Sequence, residues 1–277
     1  MIPEGFDPKK LPPIFYTLPT LVIYLVNPPN YGFSKAKKLA VKSIGKLEEY
    51  EHFKKYNIPC LPVEQFKSGL TLDHEIYGDW VVLKPENITS TGKDINMVPT
   101  KMIPLLTKND FPENHLVHYD SYLVQKFVKC GVNPTHYRVL VFLDEVLYSR
   151  RSSSNLPYID PHSDIKDHLR TTVASNHHGY RTVEPYKDLE VNAFALVVAK
   201  SFPDCPLLGI DIIRDDSTGK LYVLETNLGG NTWHFSSEIA KRDGLTPIHR
   251  KAIIKQYNAW DIAAAALVRK TCELAVR

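Results

Sequence analysis

Cysteine is scarce in this sequence, and its scarcity excludes a small disulfide-stabilised scaffold. Only four cysteines occur in 277 residues, and no two of them form a CxxC pair. We therefore expect reduced thiols in a cytoplasmic protein, and no zinc site built on cysteine. The four are Cys60, Cys130, Cys205 and Cys272.

Long hydrophobic runs and a strong net charge are also missing. The most apolar stretch near the start, residues 18–26, is much shorter than the roughly 20 residues that a membrane-spanning helix needs. Pro3, Glu4 and Asp7 do not form a basic leader. A net charge of +3 gives no electrostatic case for nucleic acid. We predict a buried strand at 18–26, no membrane partner and no nucleic-acid partner.

The order of helical and strand patterns predicts the α+β class rather than alternating βαβ units. Apolar residues recur every three or four positions from Ala36 to Phe53, which predicts a helix that ends before Ile58–Pro59. Residues 151–188 are polar and are predicted to be irregular. Strands are expected at 80–85, 95–98, 122–128, 137–150 with a turn at 143–145, 207–213 and 220–227, and helices at 189–202 and after Thr246–Pro247.

An acid and an amide end the apolar strand at 220–227. Side chains alternate across a strand, so Glu225 and Asn227 point to the same face. If the hairpin turn centres near Thr218, Asp211 lies opposite Glu225, whereas a slip of one residue would put it on the other face. Three hard oxygen ligands on one face suit Mg²⁺ shared with phosphates. The alternative is that these acids are solvated hairpin residues.

A lysine ends the strand at 80–85 and is followed by the polar loop ENITSTGKD. Lys84 is placed to act as a fixed positive charge for phosphate, and the loop offers hydroxyls and backbone N–H groups. The alternative is an ordinary polar hairpin with a surface lysine. The sequence contains neither the Walker A pattern nor GxGxxG, so a P-loop or Rossmann nucleotide site is excluded.

Taken in order, these residues resemble an ATP-grasp enzyme, in the branch of the ribosomal-protein glutamate ligase and glutathione synthetase. The likeness extends over nearly the whole chain. The matching residues are Lys46 ahead of Ile58–Pro59; Lys84 with the flap residues Thr89, Ser90, Thr91 and Gly92; the hinge Val124, Gln125, Lys126, Phe127 and Val128; Arg138; Arg170, Ser175, Asn176 and Gly179; and Asp211, Glu225 and Asn227.

The resemblance implies a fold in which two α+β subdomains grip a nucleotide between their sheets. Residues 1–30 would form an arm and a strand, and 31–277 the ATP-grasp domain. Within that domain, 31–121 would carry the flap at 86–94 and 122–277 the metal site. No full domain of the kind that precedes the ATP-grasp unit in relatives is expected, so the acceptor site would be built from 1–30 and 151–188, or a partner protein would supply it.

The resemblance also implies roles for the matched residues. Asp211, Glu225 and Asn227 would bind Mg²⁺ or Mn²⁺, while Lys46 and Lys84 would hold the α- and β-phosphates of ATP. Adenine would lie between the sheets. Its expected contacts are Gln125, Lys126, Phe127, Val128 and Leu224, and the residues expected to stabilise the acylphosphate or to orient a phosphate are Arg138, Arg170 and Asn176.

Two positions depart from the family pattern near the nucleotide. Lys126 stands where the hinge usually has an acid, and His136 stands where an aspartate usually precedes the arginine. Both changes remove negative charge, which puts the ribose contacts in question. The flap also has a single glycine, Gly92, where relatives often have two or more.

The acceptor side of the site carries the least specific signals. Asn231, Trp233 and His234 follow the metal ligands and are predicted to face the acceptor pocket, although Trp233 fits a role as a core plug equally well. Arg150 is either a contact for an acidic substrate or a solvated residue at a hairpin end. His177–His178 complete no zinc spacing and are expected to pack in a loop or to contact an anion.

Three functions fit this pattern. The favoured one is a ligase that joins a small-molecule or peptide carboxylate to an amine-type or thiol nucleophile through an acylphosphate. The second is an ATP-grasp kinase acting on a small molecule, and the third is a nucleotide-binding protein without chemistry. Free phosphate released together with ADP separates the first from the second. Relatives are often dimers, so a homodimer is one expected assembly.

Overall fold

The computed structural model describes residues 17–25, 36–41, 44–87, 92–173, 181–229, 232–237, 240 and 245–275. Three β-sheets contain its strands. The strands are β1 Leu21–Tyr24, β2 Lys37–Ala40, β3 Val63–Gln65, β4 Trp80–Pro85, β5 Asn96–Pro99, β6 Tyr122–Lys126, β7 Thr135–Phe142, β8 Glu145–Ser154, β9 Arg181–Pro185, β10 Leu207–Arg214 and β11 Leu221–Leu228. The helices are α1 Lys46–Lys55, α2 His74–Tyr77, α3 Ile165–Arg170, α4 Leu189–Lys200, α5 Pro247–Gln256 and α6 Ala259–Leu274.

The two larger sheets carry the predicted site residues. The large sheet has the order β11-β10-β7-β8-β9, and the small sheet has the order β3-β6-β4-β5. Every neighbouring pair in both sheets is antiparallel. Separate helices pack against antiparallel sheets, which confirms the predicted α+β class.

The hairpin between β10 and β11 has the register that the sequence predicts. Asp211 pairs with Glu225, and a β-bulge follows between Asp211 and Ile212. The turn is stabilised by Asp215, whose carboxylate accepts hydrogen bonds from the Ser217 N–H and hydroxyl at 2.8 and 2.7 Å. Next to the turn, Ile212 pairs with Val223, so the turn alone would place Leu224 opposite Asp211. The bulge shifts the register by one residue and brings Glu225 there instead.

The main core lies between the large sheet and two helices. From α1 come Tyr50 and Phe53, and from α4 come Val191, Ala195 and Val198. These side chains cover the face of the sheet opposite to Asp211 and Glu225. Leu123 and Val63 of the small sheet belong to the same cluster. Helix α1 is thus packed against both sheets, which determines where its polar side chains reach.

The predicted helix from Ala36 is wrong over its first part. Residues 37–40 form β2, which pairs in parallel with β1, and the helix begins at Lys46 after Gly45 as its N-cap. Leu39 and Val41 are buried, and a spacing of two puts both side chains on one face of a strand but on opposite sides of a helix. The helical spacing of the apolar residues holds only from Leu47 onward, and residues 37–40 pair with β1 instead.

The predicted irregular segment 151–188 also contains regular elements. Strand β8 runs on to Ser154, and β9 pairs with it as the edge of the large sheet. Helix α3 is capped by Asp164, whose carboxylate accepts from the Lys166 N–H at 2.8 Å. The paired strands β8 and β9 are rich in serine and charged residues, because they lie towards the edge of the sheet. That composition is also typical of loops, so the sequence pattern does not indicate strands here.

The helices near the C-terminus follow the predicted signals. Thr246 caps α5, accepting from the His249 N–H, and Pro247 is its first residue. Helix α6 buries Ala259 and Ala266, whereas Trp260 and Leu267 are 45% and 42% exposed. Among the described residues, no helix combines the length and apolar character that crossing a bilayer requires.

Candidate functional site

The three predicted metal ligands lie together on one face of β10 and β11. Asp211 is buried, Glu225 is its partner across the two strands, and the Asn227 amide donates to the Asp211 carboxylate at 3.1 Å. Within the described part of the chain, no three His, Cys, Asp or Glu side chains converge on a metal position. Two carboxylates and one amide fit a hard cation whose other ligands are phosphate oxygens and water.

Asp211 also forms a bidentate ion pair with Arg138 of the neighbouring strand β7. The Arg138 Nε donates to Asp211 Oδ1 at 2.7 Å, and Nη2 donates to Oδ2. Burial alone would raise the pKa of Asp211, but the Arg138 guanidinium outweighs it and lowers this pKa to about 2. Asp211 is therefore ionised at neutral pH, as a metal ligand must be, and Arg138 partly neutralises its charge.

A second cluster surrounds the Lys84 side chain at the end of β4. The Lys84 ammonium donates to the hydroxyl of Tyr50 and lies 4.9 Å from the centre of the tyrosine ring. Burial lowers the pKa of Lys84 to about 8, and the charge of Glu225 opposes this shift. Lys84 thus belongs to the same electrostatic environment as the candidate metal ligands.

Helix α1 ties down strand β11 through Glu49, which lies between Lys46 and Tyr50 on that helix. The buried Glu49 carboxylate accepts from the Thr226 backbone N–H at 2.7 Å and from the Thr226 hydroxyl. Burial, aided by the charge of Glu225, raises the pKa of Glu49 to about 8. Since Thr226 stands between Glu225 and Asn227, this contact fixes the backbone that carries both ligands.

The other predicted phosphate lysine, Lys46, lies at the first position of α1. Its ammonium donates to the Pro85 carbonyl at 2.6 Å, at the end of β4 and directly before the predicted flap. Both lysines therefore gather at one end of β4. Gly92 is buried and has a φ of 88°, a conformation that favours glycine. The flap residues Thr89, Ser90 and Thr91 lie outside the described residues.

The predicted hinge forms the end of β6 and the segment after it. Gln125 is buried and its amide donates to the Tyr50 hydroxyl at 2.7 Å. The backbone N–H groups of Lys126 and Phe127 donate to the carbonyls of Pro62 and Trp80 at 3.0 and 3.1 Å. Lys126, Phe127 and Val128 are half-buried. The Gln125 side chain therefore points into the protein interior. It donates to the same Tyr50 hydroxyl that accepts from Lys84.

Arg150 and His234 are the buried members of the predicted acceptor set. Arg150 is 1% exposed and lies across from Arg138 on β8. The Tyr148 hydroxyl lies 2.9 Å from both the Thr232 carbonyl and His234 Nδ1. A carbonyl can only accept, so the hydroxyl donates to it and accepts from a protonated Nδ1. Burial, with positive charge nearby, lowers the pKa of His234 to about 2, which keeps the ring neutral.

Of the remaining predicted residues, Trp233 and Arg170 lie in described parts of the chain. The Trp233 ring packs on Phe235 and Trp260 with ring centres 4.9 and 5.7 Å apart, and its Nε1 donates to Ser236. Arg170 is exposed at the end of α3. Asn176 and Asn231 lie outside the described residues. Trp233 therefore belongs to an aromatic cluster with Phe235 and Trp260. This packing agrees with the alternative in which Trp233 is a core residue.

Glu49 and Tyr50 are the site residues that sequence reasoning missed. In the helical pattern from Ala36 to Phe53, Tyr50 is only one of the recurring apolar positions. The available signal was Glu49, which lies three residues after Lys46 and immediately before Tyr50 on the buried side of α1. Buried charges need partners, so that pattern points to a polar contact in the interior.

No protein-family model and no curated protein sequence matches this chain. Among solved structures, D-cycloserine synthetase DcsG is 15% identical with a TM-score of 0.51, and the match covers 76% of this chain and 69% of that chain. D-alanine–D-alanine ligase from Bacillus anthracis is 16% identical with a TM-score of 0.49, covering 83% and 68%. The ATP-grasp ligase PsnB, bound to a precursor variant, Mg and ADP, is 16% identical with a TM-score of 0.43, covering 76% and 58%. Identities this low bear on the fold alone.

Proposed function

Because the chain has the ATP-grasp fold, we propose that it is an ATP-dependent ligase. It would join the carboxylate of a small molecule or peptide to an amine-type or thiol nucleophile, and it would release ADP and phosphate. The supporting observation is the register of β10 and β11, which aligns Asp211, Glu225 and Asn227 on one face. Lys84 lies within the electrostatic reach of that face.

In this proposal the chain's own residues bind and orient the nucleotide. Asp211, Glu225 and Asn227 would hold Mg²⁺ or Mn²⁺, which supplies charge neutralisation for phosphoryl transfer when bound. Lys84 and Lys46 would neutralise the phosphate oxygens. Adenine would lie at the hinge, against Gln125, Lys126, Phe127, Val128 and Leu224. Phosphoryl transfer requires positioning and electrostatics more than covalent catalysis, and a rigid set of fixed charges provides both.

Buried positive charge marks the proposed acceptor side. Arg138 and Arg170 would stabilise the acylphosphate and the tetrahedral oxyanion. Asn176 would orient a phosphate or the metal. Arg150, buried across from Arg138, supports a carboxylate-bearing substrate, since a buried guanidinium binds carboxylates in a bidentate manner. The acceptor site would be completed by Asn231 and His234, by a partner protein, or by a second copy in a homodimer.

The test is simultaneous measurement of ADP and free phosphate. The purified protein receives ATP, Mg²⁺ and pools of amino acids, small carboxylates and short peptides. We expect equal amounts of ADP and phosphate, formed only when two pool components are present together. ADP without phosphate would replace the ligase by a kinase. ATP binding with no turnover in any pool would favour a protein that binds nucleotide without chemistry.

A further inference from the structure

One buried hydroxyl joins three of the elements that surround the proposed nucleotide site. The Tyr50 hydroxyl donates to the Leu224 carbonyl of β11 at 2.8 Å. It accepts from the Gln125 amide of β6 at 2.7 Å and from the Lys84 ammonium of β4. Because a carbonyl can only accept, the single proton of the hydroxyl goes to Leu224, and both lone pairs are left for Gln125 and Lys84. Every hydrogen-bonding position of this hydroxyl is filled.

The tyrosine is itself held rigidly. Its side chain is fully buried, and its ring meets that of Phe53 edge-on with centres 6.1 Å apart. Its helix is attached to β11 through the bond between Glu49 and the Thr226 N–H at 2.7 Å. Lysine, by contrast, carries its charge on a flexible four-carbon stem with considerable rotamer freedom. A rigid acceptor at the end of that stem removes the freedom before any ligand arrives.

We propose that Tyr50 is a positioning residue for Lys84, an inference that rests on the proposed function. Its hydroxyl holds the ammonium at the end of β4, so that phosphate meets a charge already in place. Tyr50 touches neither the phosphates nor the metal in this scheme; it acts through Lys84. Preorganised charge costs no reorganisation when the ligand binds, so the effect appears in the affinity for phosphate-bearing ligands.

The test is the variant Tyr50→Phe, which removes the hydroxyl and keeps the ring. Calorimetry would measure the binding of Mg-ATP and of adenosine, which lacks phosphates. Because hydrogen bonds to charged groups are the stronger ones, we expect Mg-ATP binding to weaken about tenfold. Adenosine binding should weaken by a smaller factor, since the neutral partners of the hydroxyl, Gln125 and Leu224, belong to the proposed adenine site. Tyr77→Phe is the matched control. Tyr77 is another buried tyrosine, which packs on the other face of the small sheet, and its variant should bind both ligands as the parent does.

A second readout does not depend on nucleotide. Acetylation of Lys84 by a dilute amine reagent, followed by peptide mass spectrometry, reports how freely its amine moves and reacts. In Tyr50→Phe the amine loses its acceptor, so the rate should rise severalfold, while the rates of exposed lysines such as Lys67 stay constant. An unchanged Lys84 rate in the folded variant, or equal losses of ATP and adenosine affinity, would overturn the inference.

The two readouts separate this inference from the proposed function. If the parent does not bind ATP, the proposed function fails, and the Lys84 acetylation rate still decides whether Tyr50 positions the lysine. If Tyr50→Phe does not fold, 3-fluorotyrosine placed at position 50 alone keeps the ring and hydroxyl but weakens the hydroxyl as an acceptor. Lys84 acetylation should again rise in that protein, and an unchanged rate would count against the inference.

Discussion

Replacing Glu225 by alanine should abolish ATP turnover while the protein stays folded. Glu225 is one of the two carboxylates among the candidate metal ligands, and Asp211, the other, already shares its charge with Arg138. Loss of Glu225 would leave the site too little negative charge to hold Mg²⁺ beside a nucleotide. Since a metal ion contributes several kcal/mol to phosphoryl transfer, we expect turnover to fall by roughly a hundredfold or more.

The measurement is the rate of ADP formation in saturating ATP and Mg²⁺, together with the two pool components that support turnover in the parent. Thermal unfolding is recorded on the same samples. Glu64→Ala is the control, because Glu64 is an exposed glutamate on β3 of the small sheet. The control should keep both the parent rate and the parent melting temperature. A Glu225→Ala protein that turns over ATP at the parent rate would remove the metal assignment. Glu225 is half-buried, so its loss should change stability far less than activity.

Replacing Arg138 by methionine should strongly destabilise the fold. The ion pair of Arg138 with Asp211 is almost fully buried, with side chains 12% and 7% exposed. Removing one partner leaves an uncompensated buried charge, which typically costs 3–5 kcal/mol of unfolding free energy, and we expect about that loss at pH 7. Urea unfolding, followed by circular dichroism, measures it.

The stability that the Arg138–Asp211 ion pair contributes should depend on pH. Burial opposes ionisation of Asp211, but Arg138 lowers its pKa from 3.8 to about 2. A depressed pKa stabilises the fold above the pKa of the unfolded chain, and that stabilisation is lost as the pH falls from about 4 towards 2. In Arg138→Met the unpaired carboxylate should have a raised pKa, so lowering the pH should recover stability. The double variant Arg138→Met with Asp211→Asn should recover most of the loss at pH 7, and an equal loss in both variants would contradict this account.

The strands and turn of the hairpin that carries the candidate metal ligands could be predicted because their determinants are local. Turn residues around Asp215 and Gly219 join β10 to β11 within a short stretch of chain, and the alternation of β11 puts Glu225 and Asn227 on one face. The pairing of Asp211 with Glu225 also needs the bulge after Asp211. The turn at Leu143 between β7 and β8 was predictable for the same reason. Leu143 has a φ of 59° there.

The contacts that complete the site join distant parts of the chain. Tyr50 and Leu224 are 174 positions apart, and Arg138 and Asp211 are 73 positions apart. Patterns in a single sequence report periodicity and turns, but they do not report which buried polar groups meet after folding. An aromatic residue on an apolar helix face reads as core, and Tyr50 is indeed core. Its hydroxyl becomes informative only when the strands β4, β6 and β11 are placed around it.

The most direct test of the central claim is calorimetric titration of the parent protein with ATP, with and without Mg²⁺. The site described here joins two lysines to two carboxylates and an amide, so it should bind ATP tightly only when the metal is present. Added EDTA should reverse the tight binding, and adenosine should bind weakly with or without Mg²⁺. Failure to bind ATP in the presence of Mg²⁺, or equal affinity with and without the metal, would contradict the assignment of Asp211, Glu225 and Asn227.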